Sequence, residues 1–188
     1  LVSHWVGPYI QQFMLWLGNV IERATELMPL PMGILVGVAV GMVLTLPISS
    51  AAMCVAMELS GLAAGAAVAG CCAQMVGFAV TSFRDNGVSG LVSQGIGTSM
   101  LQVPNILRRP QIWIAPTVAS AVCGALAATV FQMETNAYGA GMGTSGLVGQ
   151  ITTYGVMAPT HGSLATLLSI AVVHFLVPAI VALGVDYL

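Results

Sequence analysis

Charged residues divide this chain into long apolar blocks, and the lengths of these blocks predict its main elements. A helix that crosses a membrane needs about 20 mostly apolar residues. Three blocks meet this requirement without a single acidic or basic side chain other than histidine, so we predict transmembrane helices over residues 59–83, 111–131 and 162–184.

Two further spans are predicted from weaker patterns. The block 27–57 is cut by three prolines, which favours a span over residues 32–46 followed by a short broken piece. A first span over residues 4–20 is weakened by Gln11, Gln12 and Gly18, and a helix lying on the membrane surface is its alternative. Together the blocks predict an all-α integral membrane fold with about five transmembrane helices.

Small residues recur every fourth position in two of these spans. Such stripes let helix backbones approach closely in lipid, and they predict a compact bundle rather than a lone anchor. The two stripes are Gly33, Gly37, Gly41 and Gly61, Gly65, Ala69, Ala73, Gly77.

Two glycine-rich segments, 86–107 and 135–157, do not fit the pattern of a lipid-facing helix. Both are apolar enough to enter the membrane, but Gly, Ser, Thr, Asn and Gln are frequent in them, and Pro104 would end a helix. Broken backbone at membrane depth is tolerated only where it is buried in protein or lines a wet cavity. We therefore predict that each segment forms a re-entrant hairpin.

These two segments resemble each other. GIGTSML at 95–101 and GMGTSGL at 141–147 are identical at five of seven positions, at an offset of 46 residues. The repeat units, about 59–107 and 110–157, each contain one span and one hairpin. Because a single span separates the hairpins, they would enter from opposite sides and form an inverted repeat within one membrane domain, 1–188, as in many transporters.

The composition places the chain in the cell membrane as a multi-pass protein. It is 57% hydrophobic and 5% charged, with a mean hydropathy of +0.96, whereas soluble domains carry about 25% charged residues. The net charge is -2, and without a basic face nucleic acid is excluded as a partner. If both hairpins return and the block 27–57 crosses once, all four arginines share one side, which predicts that this side and the C-terminus are cytoplasmic.

The run GVSGLVSQGIGTSMLQVPNILRRPQIWIAPTVAS, with the later GMGTSGLVGQI, resembles the phosphotransferase-system EIIC-like membrane family, which includes the perfringolysin O regulatory protein. The resemblance covers about residues 27–185. It implies a sugar-permease-like domain that forms a homodimer and works with an EIIB-type partner. Relatives tend to be longer, so we expect the C-terminal part of a longer protein. No attached EIIA- or EIIB-like domain stands out, so phosphotransferase activity is not assigned to this chain.

Polar side chains in the two hairpins are the candidate substrate-binding residues. Amides and hydroxyls suit a polyol because each offers both donor and acceptor atoms. Alternatively, they satisfy backbone groups freed by the broken helices, or the turns bind an anion through backbone N–H groups. The candidates are Gln94, Thr98, Ser99, Gln102, Asn105, Thr144, Ser145 and Gln150, with Glu58 and His161 at the mouths of the site.

Several polar residues have a plainer interpretation beside the functional one. Glu58 can serve as a dipole partner at a helix start, and His161 can be an ordinary interfacial histidine. His174 lies in the middle of a span, where it is either functional or a neutral ring bonded to a neighbouring helix. No metal-ligand spacing, nucleophile motif or phosphate loop is present, so we expect neither a metal, nor a cofactor, nor a catalytic set.

The favoured function is therefore a permease that binds and translocates a small polar solute, with a sugar as the expected class. The alternative is a membrane sensor with a permease-like fold that binds a ligand without transporting it. An intramembrane enzyme is disfavoured because no acid–base or nucleophile set converges. A purely structural subunit would leave the hairpin polar groups bonded only to protein.

Overall fold

The computed structural model of the chain describes residues 2–187, with side chains described from residue 7 onward. This part of the chain is helical and contains no strand, apart from one isolated bridge between Gly61 and Thr135. The α-helices are α1 (Val2–Leu27), α2 (Pro29–Thr45), α3 (Ser50–Ala56), α4 (Gly61–Thr81), α5 (Phe83–Val92), α6 (Val103–Arg108), α7 (Ile114–Thr129), α8 (Ala137–Ala140), α9 (Val148–His161), α10 (Ser163–Ile170) and α11 (Val177–Asp186).

Three helical stretches are long and apolar enough to cross a membrane: Gly61–Thr81, Pro110–Thr129 and Ser163–Asp186. They coincide with three of the five predicted spans, which are thereby confirmed as candidate spans. The last one is continuous because a π-helical turn, Ala171–Leu176, joins α10 to α11. Helix α2 has only 17 residues, and the span predicted over residues 4–20, which lies within α1, stays a prediction.

Helices α2, α4 and α7 form the centre of the bundle, and glycines bring their backbones together. A Cβ atom on Gly70 would lie 2.0 Å from the carbonyl oxygen of Gly37, and one on Gly33 would lie 2.6 Å from that of Gly124. No side chain fits between these helices at such points. Helix α4 is buried along almost its whole length, so the small-residue stripes lie at the helix contacts for which they were predicted.

The packing also fixes the direction of each helix. Gly37 packs on Ala66 and Gly41 on Gly70, so α2 runs parallel to α4. Gly65 packs on Met133 and Gly77 on Pro116, so α7 runs antiparallel to α4. We call the end where α4 begins the glutamate end, because Glu22, Glu58 and Glu134 lie there. The end where α4 finishes is the arginine end, where Arg84, Arg108 and Arg109 line one cavity.

The block 27–57 does not cross the bundle, contrary to the prediction for this block. Thr45, the last residue of α2, reaches only the level of Gln74. The residue before Pro47 is extended (φ -74°, ψ 160°), as expected before a proline. Ser49 then caps α3 by accepting a hydrogen bond from the Ala52 N–H at 3.2 Å. Helix α3 leads back to the glutamate end, so the block enters and leaves at the same end.

The position of Arg23 changes accordingly. Its neighbour Glu22 accepts hydrogen bonds from the backbone N–H and the hydroxyl of Ser60, at 2.6 and 2.8 Å, where α4 begins. Arg84 instead follows the C-terminal end of α4. The prediction that all four arginines share one end is therefore wrong, because it assumed that the block 27–57 crosses once. Three arginines share one end and Arg23 lies at the other.

We expect Gly70→Ala to destabilise the protein by about 2 kcal/mol, because a methyl group there would push α2 away from α4. Thermal unfolding in detergent measures the effect. Gly155→Ala is the matched control: it lies in a helix with nothing within 4 Å of a Cβ atom and should leave stability unchanged or raise it slightly. Equal stability of the two variants would show that α2 and α4 are not in backbone contact.

Candidate functional site

Three turns of the chain meet beside the middle of α4. They enclose a cavity of about 160 Å³ whose lining includes residues of the α2–α3 turn together with Thr98 and Ser145. Ser145 Oγ donates to the carbonyl oxygen of Gly97 at 3.0 Å, and Ser50 Oγ donates to that of Gly141 at 2.6 Å. The structure thus brings the two Gly-Thr-Ser turns into direct contact and adds a third turn that the sequence analysis did not include.

Local backbone chemistry explains the shape of the first Gly-Thr-Ser turn. Helix α5 ends in a π-helical turn, Ser93–Gly97, after which Thr98 is extended (φ -158°, ψ 140°). The Thr98 hydroxyl accepts a hydrogen bond from the Met100 N–H at 3.2 Å and so caps the short 3-10 helix Ser99–Gln102. A threonine at this position therefore both breaks one helix and starts the next.

The second Gly-Thr-Ser turn depends on left-handed backbone. Gly143 and Gly146 both have φ 55°, and Leu147 has φ 59°, a region that glycine enters at little cost. A Cβ atom on Gly143 would also lie 2.8 Å from the backbone of Cys71 in α4. Glycine at 143 is thus required twice, for the turn and for its close approach to the central helix.

A buried hydrogen-bond network holds the first turn against the central helices. Ser99 Oγ lies 3.0 Å from Thr45 Oγ1, and Thr45 Oγ1 donates to Gln74 Oε1 at 3.4 Å. The same Gln74 oxygen accepts from Trp113 Nε1 at 3.1 Å, while Gln74 Nε2 donates to Thr117 Oγ1 at 3.5 Å. Gln74 is fully buried and joins α2, α4 and α7 to the turn.

This network was not predicted from the sequence, although one signal for it is present there. Gln74 is the one amide in the otherwise small and apolar helix α4. A polar side chain inside a membrane span is costly unless it is paired, so it deserves a functional or structural explanation of its own. Its partners Thr45 and Trp113 carry no such signal, because both stand at the ends of apolar runs.

A second buried cluster lies behind the second turn. Gln150 Nε2 is 3.2 Å from Cys72 Sγ and 3.2 Å from His174 Nδ1. Since the amide nitrogen can only donate, Nδ1 accepts and the neutral ring carries its hydrogen on Nε2. His174 is thus bonded to a neighbouring helix, which was one of its two interpretations. Within the described chain His174 Nε2, Gln150 Oε1 and Thr144 Oγ1 are buried without a hydrogen-bond partner.

The remaining candidates in the first segment line two adjoining cavities that open at the arginine end. The larger, of about 670 Å³, is lined by Gln102 and Asn105 among others. The smaller, of about 280 Å³, shares these two residues and reaches Gln94. Asn105 Nδ2 donates to Gln102 Oε1 at 2.9 Å. The predicted residues are therefore divided between the central cavity, the arginine-end cavities and the two buried clusters.

Glu58 and His161 are not brought together with the other candidates. Glu58 is exposed at the glutamate end with left-handed backbone (φ 52°). The carboxylate that accepts a hydrogen bond from the Ser60 N–H at the start of α4 belongs to Glu22, not to Glu58. His161 ends α9, exposed, with Nδ1 2.9 Å from Thr160 Oγ1. Neither lines a cavity described above. Among the described residues no group of three His, Cys, Asp or Glu side chains could hold a metal.

Replacing the central amide by a leucine of similar size tests the buried network. Gln74→Leu would leave Nε1 of the half-buried Trp113 without its acceptor, so we expect it to lower the free energy of unfolding by about 1–3 kcal/mol. Thermal unfolding and tryptophan fluorescence report the change. The matched control is Gln12→Leu at an exposed position of α1, which should unfold as the parent does. If the network does not stabilise the protein, Gln74→Leu and Gln12→Leu will unfold at the same temperature.

Comparison with known proteins finds no curated protein and no solved structure that matches the chain. A family model described as phosphotransferase system, EIIC, matches residues 1–188. The match covers every element described above, including both glycine-rich segments and the three candidate spans. It agrees with the resemblance carried by the two Gly-Thr-Ser runs, and the chain belongs to the phosphotransferase system EIIC family.

Proposed function

We propose that this membrane domain binds and translocates a small polar solute, a sugar, at the place where the three turns meet. Membership of the EIIC family supports a permease-type function in general. The observation that carries the finer proposal is the contact between the two Gly-Thr-Ser turns, Ser145 Oγ to the Gly97 carbonyl at 3.0 Å, beside a cavity at the middle of the bundle.

The lining of the central cavity supports a neutral polyol. Its lining residues carry four hydroxyl groups, those of Ser49, Ser50, Thr98 and Ser145, beside the apolar side chains of Leu44, Ile48, Ala51, Met75, Met100 and Met142, with no charged side chain among them. Hydroxyls pair with sugar hydroxyls as donors and as acceptors. A cavity of about 160 Å³ lies below the usual range for drug-sized ligands, about 300–1,000 Å³, which favours a small solute.

The proposed topology is an inverted repeat of two re-entrant hairpins. Arg84 and Arg108 flank the first glycine-rich segment and line the same cavity, which supports a segment that leaves where it entered. The second segment lies between the glutamate-end bridge at Thr135 and the start of the last span at Ser163. With both hairpins returning, units 59–107 and 110–157 are upside down relative to each other within the domain 1–188.

The same topology indicates on which side of the membrane an EIIB-type partner would act. Three of four arginines lie at the arginine end, and an excess of arginine is typical of the cytoplasmic side. The C-terminus, with Asp186 in that cavity, is therefore proposed to be cytoplasmic. An EIIB-type partner would act there, and any phosphoryl transfer is assigned to it rather than to this chain. A homodimer remains an expectation from the family resemblance.

Substitutions in the central cavity test sugar binding. In the purified protein, a panel of neutral sugars should raise the unfolding temperature for at least one member. We expect Ser145→Ala and Thr98→Val to weaken that stabilisation about tenfold in apparent affinity, since each removes a hydrogen bond to a buried polar ligand. Ser169→Ala, whose hydroxyl only bonds the Ala165 carbonyl of its own helix, is the matched control.

The panel result and an uptake assay together decide the proposal. Uptake of the stabilising sugar into proteoliposomes supports a permease, whereas binding without uptake supports the sensing alternative. No stabilisation by any sugar, or equal weakening by Ser169→Ala, would contradict sugar binding at the central cavity.

Cysteine labelling tests the topology. The four native cysteines are buried, so single cysteines introduced at exposed positions can be read with a membrane-impermeant maleimide. Asp85→Cys and Leu107→Cys, on either side of the first segment, should label from the cytoplasmic side, and Glu58→Cys from the opposite side. Labelling of positions 85 and 107 from different sides would show that the segment crosses the membrane.

A further inference from the structure

The C-terminal part of helix α1 is held at the glutamate end of the bundle. A Cβ atom on Gly18 would lie 2.0 Å from the carbonyl oxygen of Met57, directly after α3 ends. One turn further along α1, Glu22 accepts hydrogen bonds from the backbone N–H and the hydroxyl of Ser60, where α4 begins. These contacts place this part of α1 at the level at which α4 begins.

The start of α2 lies at the same level. Gly37 packs on Ala66, and α2 runs parallel to α4, so Pro29, about two turns before Gly37, lies beside the start of α4. From Gly18 to Leu27 the helix α1 covers about 14 Å, and both ends of this stretch lie at the glutamate end. Helix α1 therefore runs across the end of the bundle, and not along α4 as a transmembrane neighbour would.

The N-terminal half of α1 extends beyond the bundle. None of the side chains from residue 7 to residue 17 is buried, and a Cβ atom on Gly7 would have nothing within 4 Å. The large apolar side chains here are mostly exposed: Tyr9 by 74%, Ile10 by 56%, Phe13 by 57% and Trp16 by 60%. An exposed apolar surface of this size requires an apolar neighbour.

Three stripes divide the surface of α1, because side chains three and four positions apart share one face of a helix. The stripe that packs on the bundle consists of Gly18, Ile21 and Thr25. The polar stripe, interrupted by Leu15, consists of Gln11, Gln12, Asn19, Glu22, Arg23 and Glu26. The exposed apolar stripe consists of Tyr9, Phe13, Trp16, Val20 and Leu27.

The relative positions of the stripes favour a helix at the membrane surface. At 3.6 residues per turn, the polar stripe lies opposite the midpoint between the other two stripes. One side of α1 can therefore face the bundle and another the acyl chains, while the polar stripe faces water. In a helix that crosses the membrane, the exposed Arg23 and Glu26 would instead require burial in lipid or a partner for their charges.

The side chains of the apolar stripe match the chemistry of the membrane boundary. Tryptophan and tyrosine are enriched at the level of the headgroups, and Trp16 and Tyr9 lie on this stripe, with the Phe13 ring 6.1 Å from that of Trp16. The polar stripe has two glutamates and one arginine, so it has no excess of positive charge for anionic lipids. Binding to the bilayer would depend on the apolar and aromatic side chains.

We propose that α1 is an interfacial helix whose apolar stripe inserts between the headgroups and the acyl chains of the bilayer at the glutamate end. Residues 4–20 then lie on the membrane surface, which is the alternative to a first span. The helix fixes the depth of the glutamate end, where the block 27–57 enters and leaves. Through Gly18 and Met57 it also supports α3, which leads away from the central cavity. None of this depends on which ligand the cavity binds.

Spin labels at single introduced cysteines test the orientation of α1. The four native cysteines are buried, so each variant carries one accessible thiol. In phosphatidylcholine liposomes, collision of the nitroxide with oxygen and with a water-soluble nickel chelate gives its depth. Labels at Tyr9→Cys, Phe13→Cys and Val20→Cys should all lie about 5–10 Å into the boundary between headgroups and acyl chains. Labels on the polar stripe, at Gln12→Cys and Asn19→Cys, should be accessible to the nickel chelate.

Val122→Cys, exposed in the middle of the candidate span Pro110–Thr129, is the control for a deep position. If the depth increases steadily from Val20 towards Tyr9 and the polar stripe excludes nickel, α1 crosses the membrane and the proposal is wrong. Low collision with both reagents, together with spin–spin broadening, would overturn it in favour of a second copy covering the stripe. Adding phosphatidylglycerol should leave all depths unchanged, and a deeper position in its presence would contradict an anchor made of apolar and aromatic side chains.

Discussion

A lipid bilayer offers no water to a broken helix, and this constraint explains how the centre of the protein is built. Backbone carbonyls freed at one turn accept hydrogen bonds from serine hydroxyls of another: Gly97 from Ser145, and Gly141 from Ser50. No turn could remain at this depth alone. The three turns therefore stabilise one another, and the cavity between them exists because their backbones cannot pack as helices do.

Helix α4 provides the surface on which these turns rest. Its small residues let α2 and α7 approach until backbone meets backbone, as at Gly37 and Gly70. Because the side chains of α4 are small, the second Gly-Thr-Ser turn can also approach the backbone of Cys71. With no hydrophobic force between helices in lipid, close packing and buried hydrogen bonds such as those of Gln74 supply the association energy instead.

The first glycine-rich segment connects the two regions to which function is assigned. Its tip contributes Thr98 to the central cavity, while its arms contribute Gln102 and Asn105 to the arginine end. A shift of this segment would change both regions together. The Ser99–Thr45 hydrogen bond at the tip is the contact that such a shift would have to break, and it links the segment to the buried Gln74 network.

The class of the protein, three candidate spans and the two glycine-rich segments could be predicted from the residues alone, because apolar run length and glycine content are local properties. The sequence also indicated that the two Gly-Thr-Ser turns belong together, since they repeat. Three other features became visible only from the packing of the helices: the chain turns back after α2 at Pro47, Glu22 rather than Glu58 accepts hydrogen bonds from the start of α4, and Gln74 joins Thr45 to Trp113. The residues that meet at the centre are 48 and 91 positions apart. Contacts over such separations depend on how closely whole helices pack. The distance between packed helices cannot be predicted from the order of polar and apolar residues along the chain.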